Sequence, residues 1–200
     1  MTIEKLVVAS HNQGKIDEIK RMMAPFKVDV VSARDLELPD VEETGTTFRE
    51  NAALKANQLS EISGLPCLAD DSGLCVDALG GRPGVYSARY AGPERDFDRA
   101  MEHLIEELRN SGSNDWSAHF SCVLALKIPG RECRFFEGKV EGEIVSEKSG
   151  HNGFGFDPIF KPHGFDKTFA NFTAEEKAKI SHRGRAFEKF CRELEDLISN

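Results

Sequence analysis

The sequence predicts an α/β fold, a mixed β-sheet flanked by helices, and three observations carry that prediction. First, the apolar run Leu6-Val7-Val8-Ala9 leads through a polar loop into a helical stretch reaching about Met23. A second short strand follows over residues 28–31. Strand, glycine-containing loop, helix and strand in that order begin an α/β domain. Second, Trp116, Ala118, Phe120, Cys122, Leu124 and Leu126 alternate strictly with their neighbours, the period of a strand with one face on a core. Third, residues 133–136 and 140–145 read as antiparallel neighbours of that strand. Early βα units followed by an antiparallel section imply a mixed sheet, with room for two lobes.

The remaining elements follow in order. Pro25 ends the first helix. Thr47-Phe48-Arg49-Glu50 is a capping box opening a helix to about Ile62, closed by Gly64-Leu65-Pro66. Its apolar stripe is Phe48, Ala52, Leu59 and Ile62, and Lys55 falls on the same stripe. An inward lysine either snorkels to the surface or faces a site that needs a cation. Residues 65–76 read as two strand-like pieces broken by Asp70-Asp71-Ser72-Gly73, and residues 80–84 as a loop. Residues 96–109 form an amphipathic helix through Phe97, Met101, Leu104, Ile105 and Leu108. A glycine-rich loop covers residues 150–157, and Thr173-Ala174-Glu175-Glu176 is a second capping box. The short helix it opens ends near residues 181–184, before a last helix with Phe187, Phe190, Cys191, Leu194 and Leu197. No linker divides the chain, so residues 1–200 read as a single domain.

Composition limits the function. The chain has 200 residues, 40% of them hydrophobic, enough for one sizeable core. A net charge of -8 argues against non-specific nucleic-acid binding, which needs Lys and Arg to neutralise phosphates. It leaves room for a local basic pocket. The five cysteines are widely spaced, with no CxxC pair. They read as reduced thiols of a cytoplasmic protein rather than as a zinc site. The apolar run after Met1 is too short for a signal peptide or a membrane span.

The chemistry-bearing segments are individually ambiguous. Asp70 and Asp71 are adjacent carboxylates beside an apolar run. Like charges side by side are tolerated most easily around a cation, and hard oxygen ligands suit Mg2+ with phosphate. Asp, Ser and Gly also form turns. Glu42 and Glu43 precede a helix, as further Mg2+ ligands or as acids that favour its dipole. Gly14-Lys15 at a strand-to-helix junction offers an anion site, although the full spacing of a Walker A loop is missing. Phe154 and Phe156 lie among glycines, as a platform for a flat ring or as core residues. Lys177, His182 and Arg183 supply donors for a ring carbonyl or a phosphate.

Seven segments in sequence order resemble the inosine triphosphate pyrophosphatase family. They are residues 10–15 (Ser-His-Asn-Gln-Gly-Lys), 42–48 (Glu-Glu-Thr-Gly-Thr-Thr-Phe), 50–56 (Glu-Asn-Ala-Ala-Leu-Lys-Ala) and 69–74 (Ala-Asp-Asp-Ser-Gly-Leu), then 83–90 (Pro-Gly-Val-Tyr-Ser-Ala-Arg-Tyr), 153–158 (Gly-Phe-Gly-Phe-Asp-Pro) and 181–184 (Ser-His-Arg-Gly). The likeness spans essentially the whole chain and is closer to the bacterial members. His11 stands where the family has Gly or Asn. The resemblance implies an elongated sheet in two lobes with a central active-site cleft, a homodimer, and a requirement for Mg2+. It implies hydrolysis of ITP, dITP and XTP to monophosphate and pyrophosphate. Asp71 becomes the expected general base and a metal ligand, with Asp70 and Lys55 beside it and Glu42 or Glu43 completing the metal environment. Ser10, His11, Asn12, Gln13, Gly14 and Lys15 would hold the triphosphate, and Ser72 would contact the substrate beside Asp71. Phe154, Gly155, Phe156, Asp157, Lys177, His182 and Arg183 would bind the base. The alternatives are a related pyrophosphatase for modified pyrimidine or methylated nucleotides, a non-catalytic nucleotide sensor, and a nucleic-acid-binding module.

Overall fold

Strand β1 (Lys5–Ala9) is buried from Leu6 onward and lies between β2 (Asp29–Ser32) and β3 (Cys67–Val76), parallel to both. This computed structural model describes residues 3–198, with side chains to residue 195. Its six-stranded sheet has the order β2-β1-β3-β4-β5-β6, where β4 is Ser117–Lys127, β5 is Arg134–Ile144 and β6 is Phe160–Pro162. The expected α/β class with a mixed sheet is therefore observed: β1 pairs in parallel, and β6 runs antiparallel to β5.

The chain divides into two compact units. The first contains residues 1–71, 122–138 and 183–200; the second contains residues 72–121 and 139–182. In the first, both sheet faces are covered. Leu6, Val8, Leu68, Cys122, Leu124 and Leu126 pack with α1 (Gln13–Met23) and α6 (His182–Ile198). Val7, Ala9, Cys67, Ala69, Val123 and Ala125 pack with α2 (Phe48–Ser63). Burial on both faces explains why β4 is apolar at successive positions there, beyond the alternation that identified it. In the second unit one core joins Leu74 and Val76 to α4 (Phe97–Asn110) and a phenylalanine cluster including Phe120, Phe160, Phe169 and Phe172. Each such fully buried side chain contributes on the order of 1.5–3 kcal/mol. The short α3 (Ser87–Tyr90) and α5 (Ala174–Ile180) complete this unit.

Both capping boxes form. Thr47 accepts from Glu50 N while Glu50 accepts from Thr47 N, and Thr173 and Glu176 do the same. Three readings need correction. β3 is continuous through Asp70–Gly73, not broken there, because each carboxylate finds a cation inside the sheet layers. β5 is likewise one strand rather than the two pieces 133–136 and 140–145: Phe136, Gly138, Val140, Gly142 and Ile144 keep the period of two through it. Ile62, placed on the buried stripe of α2, is exposed in its last turn, and the stripe stops at Leu59 and Ser60. The stripe of α6 is buried at Phe187, Phe190 and Leu194; Leu197 lies outside the residues whose side chains are described. Among the described residues no helix is long and apolar enough to cross a membrane.

Candidate active site

Successive residues of a strand point to opposite faces, and β3 uses this to separate its two carboxylates. Even-numbered Leu68 packs in the α1/α6 core and odd-numbered Ala69 in the α2 core. Asp70 therefore meets α1 and α6, and Asp71 meets α2.

On the first face Asp70 is saturated. Its Oδ1 accepts from Lys15 Nζ at 2.6 Å, and its Oδ2 from Arg183 Nε at 2.8 Å and Cys122 Sγ at 3.2 Å. Arg183 also donates to Glu18 on α1. Burial alone would push the Asp70 carboxyl up, but Arg183 and then Lys15 overcome it and hold it well below the usual carboxylate range. Burial and then Asp70 push the Cys122 thiol well up, so it is a neutral donor.

On the second face Lys55 spends its three protons on Glu43 Oε1 at 2.7 Å, the Asp70 carbonyl at 2.8 Å and Asp71 Oδ1 at 3.1 Å. Burial works against the Lys55 charge, yet Asp71, Glu43 and then Asp70 hold its pKa above the ordinary value. It is an ammonium at neutral pH and no proton acceptor. Asp71 is 4% exposed, and its Oδ2 has no hydrogen-bond partner. Burial raises the Asp71 pKa, and the opposing pull of Lys55 and Lys15 does not cancel it. A buried carboxylate oxygen with nothing to accept from is costly and suits a cation or a water arriving with a ligand. Glu43 is turned toward Lys55, whereas Glu42 is exposed.

The first loop joins this centre through α1. Asn12 caps the helix by accepting from Lys15 N, Ser10 Oγ accepts from Asn12 N, and Gly14 lies in the first turn. His11 turns the other way, its Nε2 donating to the Leu38 carbonyl and its Nδ1 lying 3.4 Å from Asp40. Gln13 is exposed and bonds Asp17 and Arg34. Ser72, the next residue of β3, is half-buried.

The second unit holds the other set. Asp157 Oδ2 accepts from Lys177 Nζ at 2.6 Å and from Phe154 N at 2.9 Å. A Cβ at Gly153 would lie 2.0 Å from that same oxygen, so only glycine fits beside it. Lys177 Nζ lies 4.9 Å from the centre of the Phe154 ring, a cation–π contact. His182 stacks on Phe120 at 4.7 Å. One expectation fails here. Phe156 is a core residue, 3% exposed and edge-on to Phe97 at 5.4 Å, so it offers no face to a base. The Arg183 guanidinium, expected at the base, pairs with Asp70 and Glu18. Gly155 borders the Phe97 ring at this turn. Sequence reasoning missed Glu18, Cys122 and Asn51. Glu18 was detectable as the i+3 neighbour of Lys15 on α1, and Asn51 as the residue four before Lys55 on α2; Cys122 carried no such signal.

An α/β chain whose sheet buries two adjacent carboxylates, one paired with Lys55 and one with Lys15 in the first turn of an Asn-capped helix, has the charge pattern of a phosphate-handling enzyme. The chain is a member of the Ham1 family, whose model matches residues 6–193. It is 48% identical over 189 residues to the dITP/XTP pyrophosphatase of Oceanobacillus iheyensis, covering 94% of this chain and 96% of that one. Against the dITP/XTP pyrophosphatase of Bacillus subtilis the identity is 45% over 194 residues, covering 96% and 98%. Among solved structures, the Coxiella burnetii HAM1 protein superposes with a TM-score of 0.88 at 39% identity, covering 98% of this chain and 100% of that one. The Staphylococcus aureus Ham1 protein gives 0.85 at 42%, covering 96% and 98%.

Proposed function

We propose that this protein hydrolyses deaminated purine nucleoside triphosphates (ITP, dITP and XTP) to the monophosphate and pyrophosphate, removing such nucleotides before they enter DNA or RNA. Its full-length likeness to proteins named dITP/XTP pyrophosphatase supports the reaction. The observation that carries the chemistry is Asp71, buried, raised in pKa and with one oxygen unpartnered.

Asp71 Oδ2 is the proton acceptor. With its pKa raised it is a stronger base than an ordinary aspartate, as general-base catalysis near neutral pH requires. A water attacks at the α–β linkage, the phosphoanhydride bond breaks, pyrophosphate leaves, and the water's proton passes to Oδ2. Lys55, held cationic, offsets charge on the phosphates. Lys15 and the capped N-terminus of α1 bind the triphosphate through ammonium, backbone N–H groups and helix dipole.

Mg2+ fits this donor set. The Asp71 and Glu43 carboxylates are hard ligands that would hold the ion, and Lys55 limits the repulsion between them. Mg2+ usually takes one or two carboxylates and fills its shell with phosphate and water. Once bound, the ion supplies charge neutralisation and a lowered water pKa.

Base selection is assigned to the second unit. Lys177 and His182 donate toward the carbonyl at ring position six, Phe154 stacks the ring, and Asp157 fixes Lys177 and the Phe154 backbone. Adenine presents an amino group at that position. One buried unmatched donor costs about 1–3 kcal/mol, roughly 10- to 100-fold in selectivity. A cytoplasmic location fits five cysteines, all free. A homodimer is carried over from the family resemblance, and sedimentation tests it.

The deciding assay is pyrophosphate release from dITP, XTP, dGTP, dATP and dTTP with Mg2+, in wild type and Asp71→Asn. Release from dITP and XTP, abolished in the variant, is the expected result. Equal turnover of all five overturns the base-recognition account.

A further inference from the structure

The loop that carries Glu43 is strapped to the first turn of α2. Thr46 N and Thr47 N donate to Glu50 Oε2, at 2.7 and 3.1 Å. One residue on, Gly45 N donates to Asn51 Oδ1 at 2.8 Å. A Cβ on Gly45 would fall 2.6 Å from Glu50 Cβ and 2.7 Å from Asn51 Oδ1. The loop therefore lies against the helix as closely as backbone allows.

Asn51 itself is 0% exposed, and its Nδ2 has no hydrogen-bond partner. The amide cannot be turned round to cure this, because Gly45 N–H requires an acceptor facing it. A permanently buried, unanswered N–H₂ costs about 1–3 kcal/mol. Asn51 stands four residues before Lys55, on the same buried face of α2. Lys55 in turn holds Asp71, whose Oδ2 is a buried acceptor with no donor. Lys55 and the Glu43 loop thus link an unanswered donor on α2 to an unanswered acceptor on β3.

We infer that Asn51 is a positioning residue of this site: Oδ1 fixes the Glu43 loop, and Nδ2 donates to an oxygen that arrives with the substrate. That oxygen belongs either to the triphosphate or to the reacting water. The inference rests on the pyrophosphohydrolase reading above and adds a residue to it.

The test is steady-state kinetics on dITP with Mg2+ for wild type and Asn51→Asp, with thermal melts of both. The aspartate keeps an acceptor for Gly45 N and removes the donor. A folded Asn51→Asp protein should lose about 10- to 100-fold in kcat/KM, the worth of one hydrogen bond to a charged or reacting oxygen. A rise in KM at steady kcat assigns the oxygen to the triphosphate. A fall in kcat at steady KM assigns it to the water. Wild-type kcat and KM in the folded variant overturn the inference. If the aspartate variant does not fold, Asn51→Ala is measured instead: it removes both the donor and the acceptor for Gly45 N, and wild-type kcat and KM in it also overturn the inference. Failure of wild type to act on dITP would strike the functional proposal instead.

Discussion

Asp70 and Asp71 are chain neighbours of the same type on one strand, and they are opposites. Asp70 accepts from a lysine, an arginine and a thiol, and its carboxyl is held far below the ordinary range by Arg183 and Lys15 against burial. Asp71 has one oxygen on Lys55 and one on nothing, and burial raises its pKa. The strand's alternation makes the difference, since each face delivers other partners. A saturated carboxylate holds structure. An unsaturated one stores a cost that a ligand can relieve, which is how a site can trade stability for reactivity.

The largest effect expected from this contrast is on turnover. Asp71→Asn should lower kcat on dITP by about 10²–10⁴, the usual worth of a positioned base. Its melting temperature should stay level or rise, because the change removes a poorly compensated buried charge. A variant that loses both activity and several degrees of stability would show that Asp71 is structural too.

Asp70→Asn should do the reverse first. Removing one partner of a buried ion pair costs about 3–5 kcal/mol, here by taking a carboxylate away from the Arg183 guanidinium, which is 2% exposed. The pH dependence follows in sign. A depressed carboxyl gives stability that is present above the unfolded value of about 3.9 and lost as pH falls through the lower folded value. The raised Asp71 carboxyl acts oppositely: its charge destabilises above its folded pKa, and the cost is relieved as pH falls through that pKa. Urea unfolding across the acid range should therefore show a steeper acid loss in wild type than in Asp70→Asn. Parallel curves would remove Asp70 from the acid transition.

How much of this contrast was legible in the sequence depends on the range of the signal. Capping boxes at Thr47 and Thr173 are local, and they formed as read. Lys55 stood out because a helical period placed it inward. The break expected at Asp70–Gly73 was wrong because hydrophobic patterning counts a buried aspartate as a turn, and only tertiary partners show otherwise. Phe154 and Phe156 look equivalent in a glycine-rich loop. Packing decides between them, and it sends Phe156 against Tyr90 and Phe97. Arg183 sits beside His182 in sequence, yet its guanidinium reaches a carboxylate 113 residues away.

A smaller effect should separate the two glutamates on the Asp71 side. Glu43 reaches Lys55, while Glu42 is exposed. Glu43→Gln should raise the Mg2+ concentration needed for half-maximal rate by about 10-fold, one lost charge being worth on the order of 1.4 kcal/mol. Glu42→Gln should leave it within about 2-fold, as exposed substitutions do. Equal shifts would place both carboxylates at the ion.

The smallest effect belongs to Cys122, the neutral member of the Asp70 shell. Its thiol donates to Asp70 Oδ2 at 3.2 Å from within the α1/α6 core. Cys122→Ala removes that donor and a little packing, so about 1 kcal/mol of stability should go. Cys122→Ser restores a stronger donor in nearly the same volume and should recover most of it. Neither change touches the α2 face of β3, so kcat on dITP should stay near wild type in both. A large fall in kcat with intact stability would mean that the two faces of the strand are coupled through the Asp70–Asp71 backbone. Lys55 already binds that backbone at the Asp70 carbonyl, which makes this the contact through which the separation would fail.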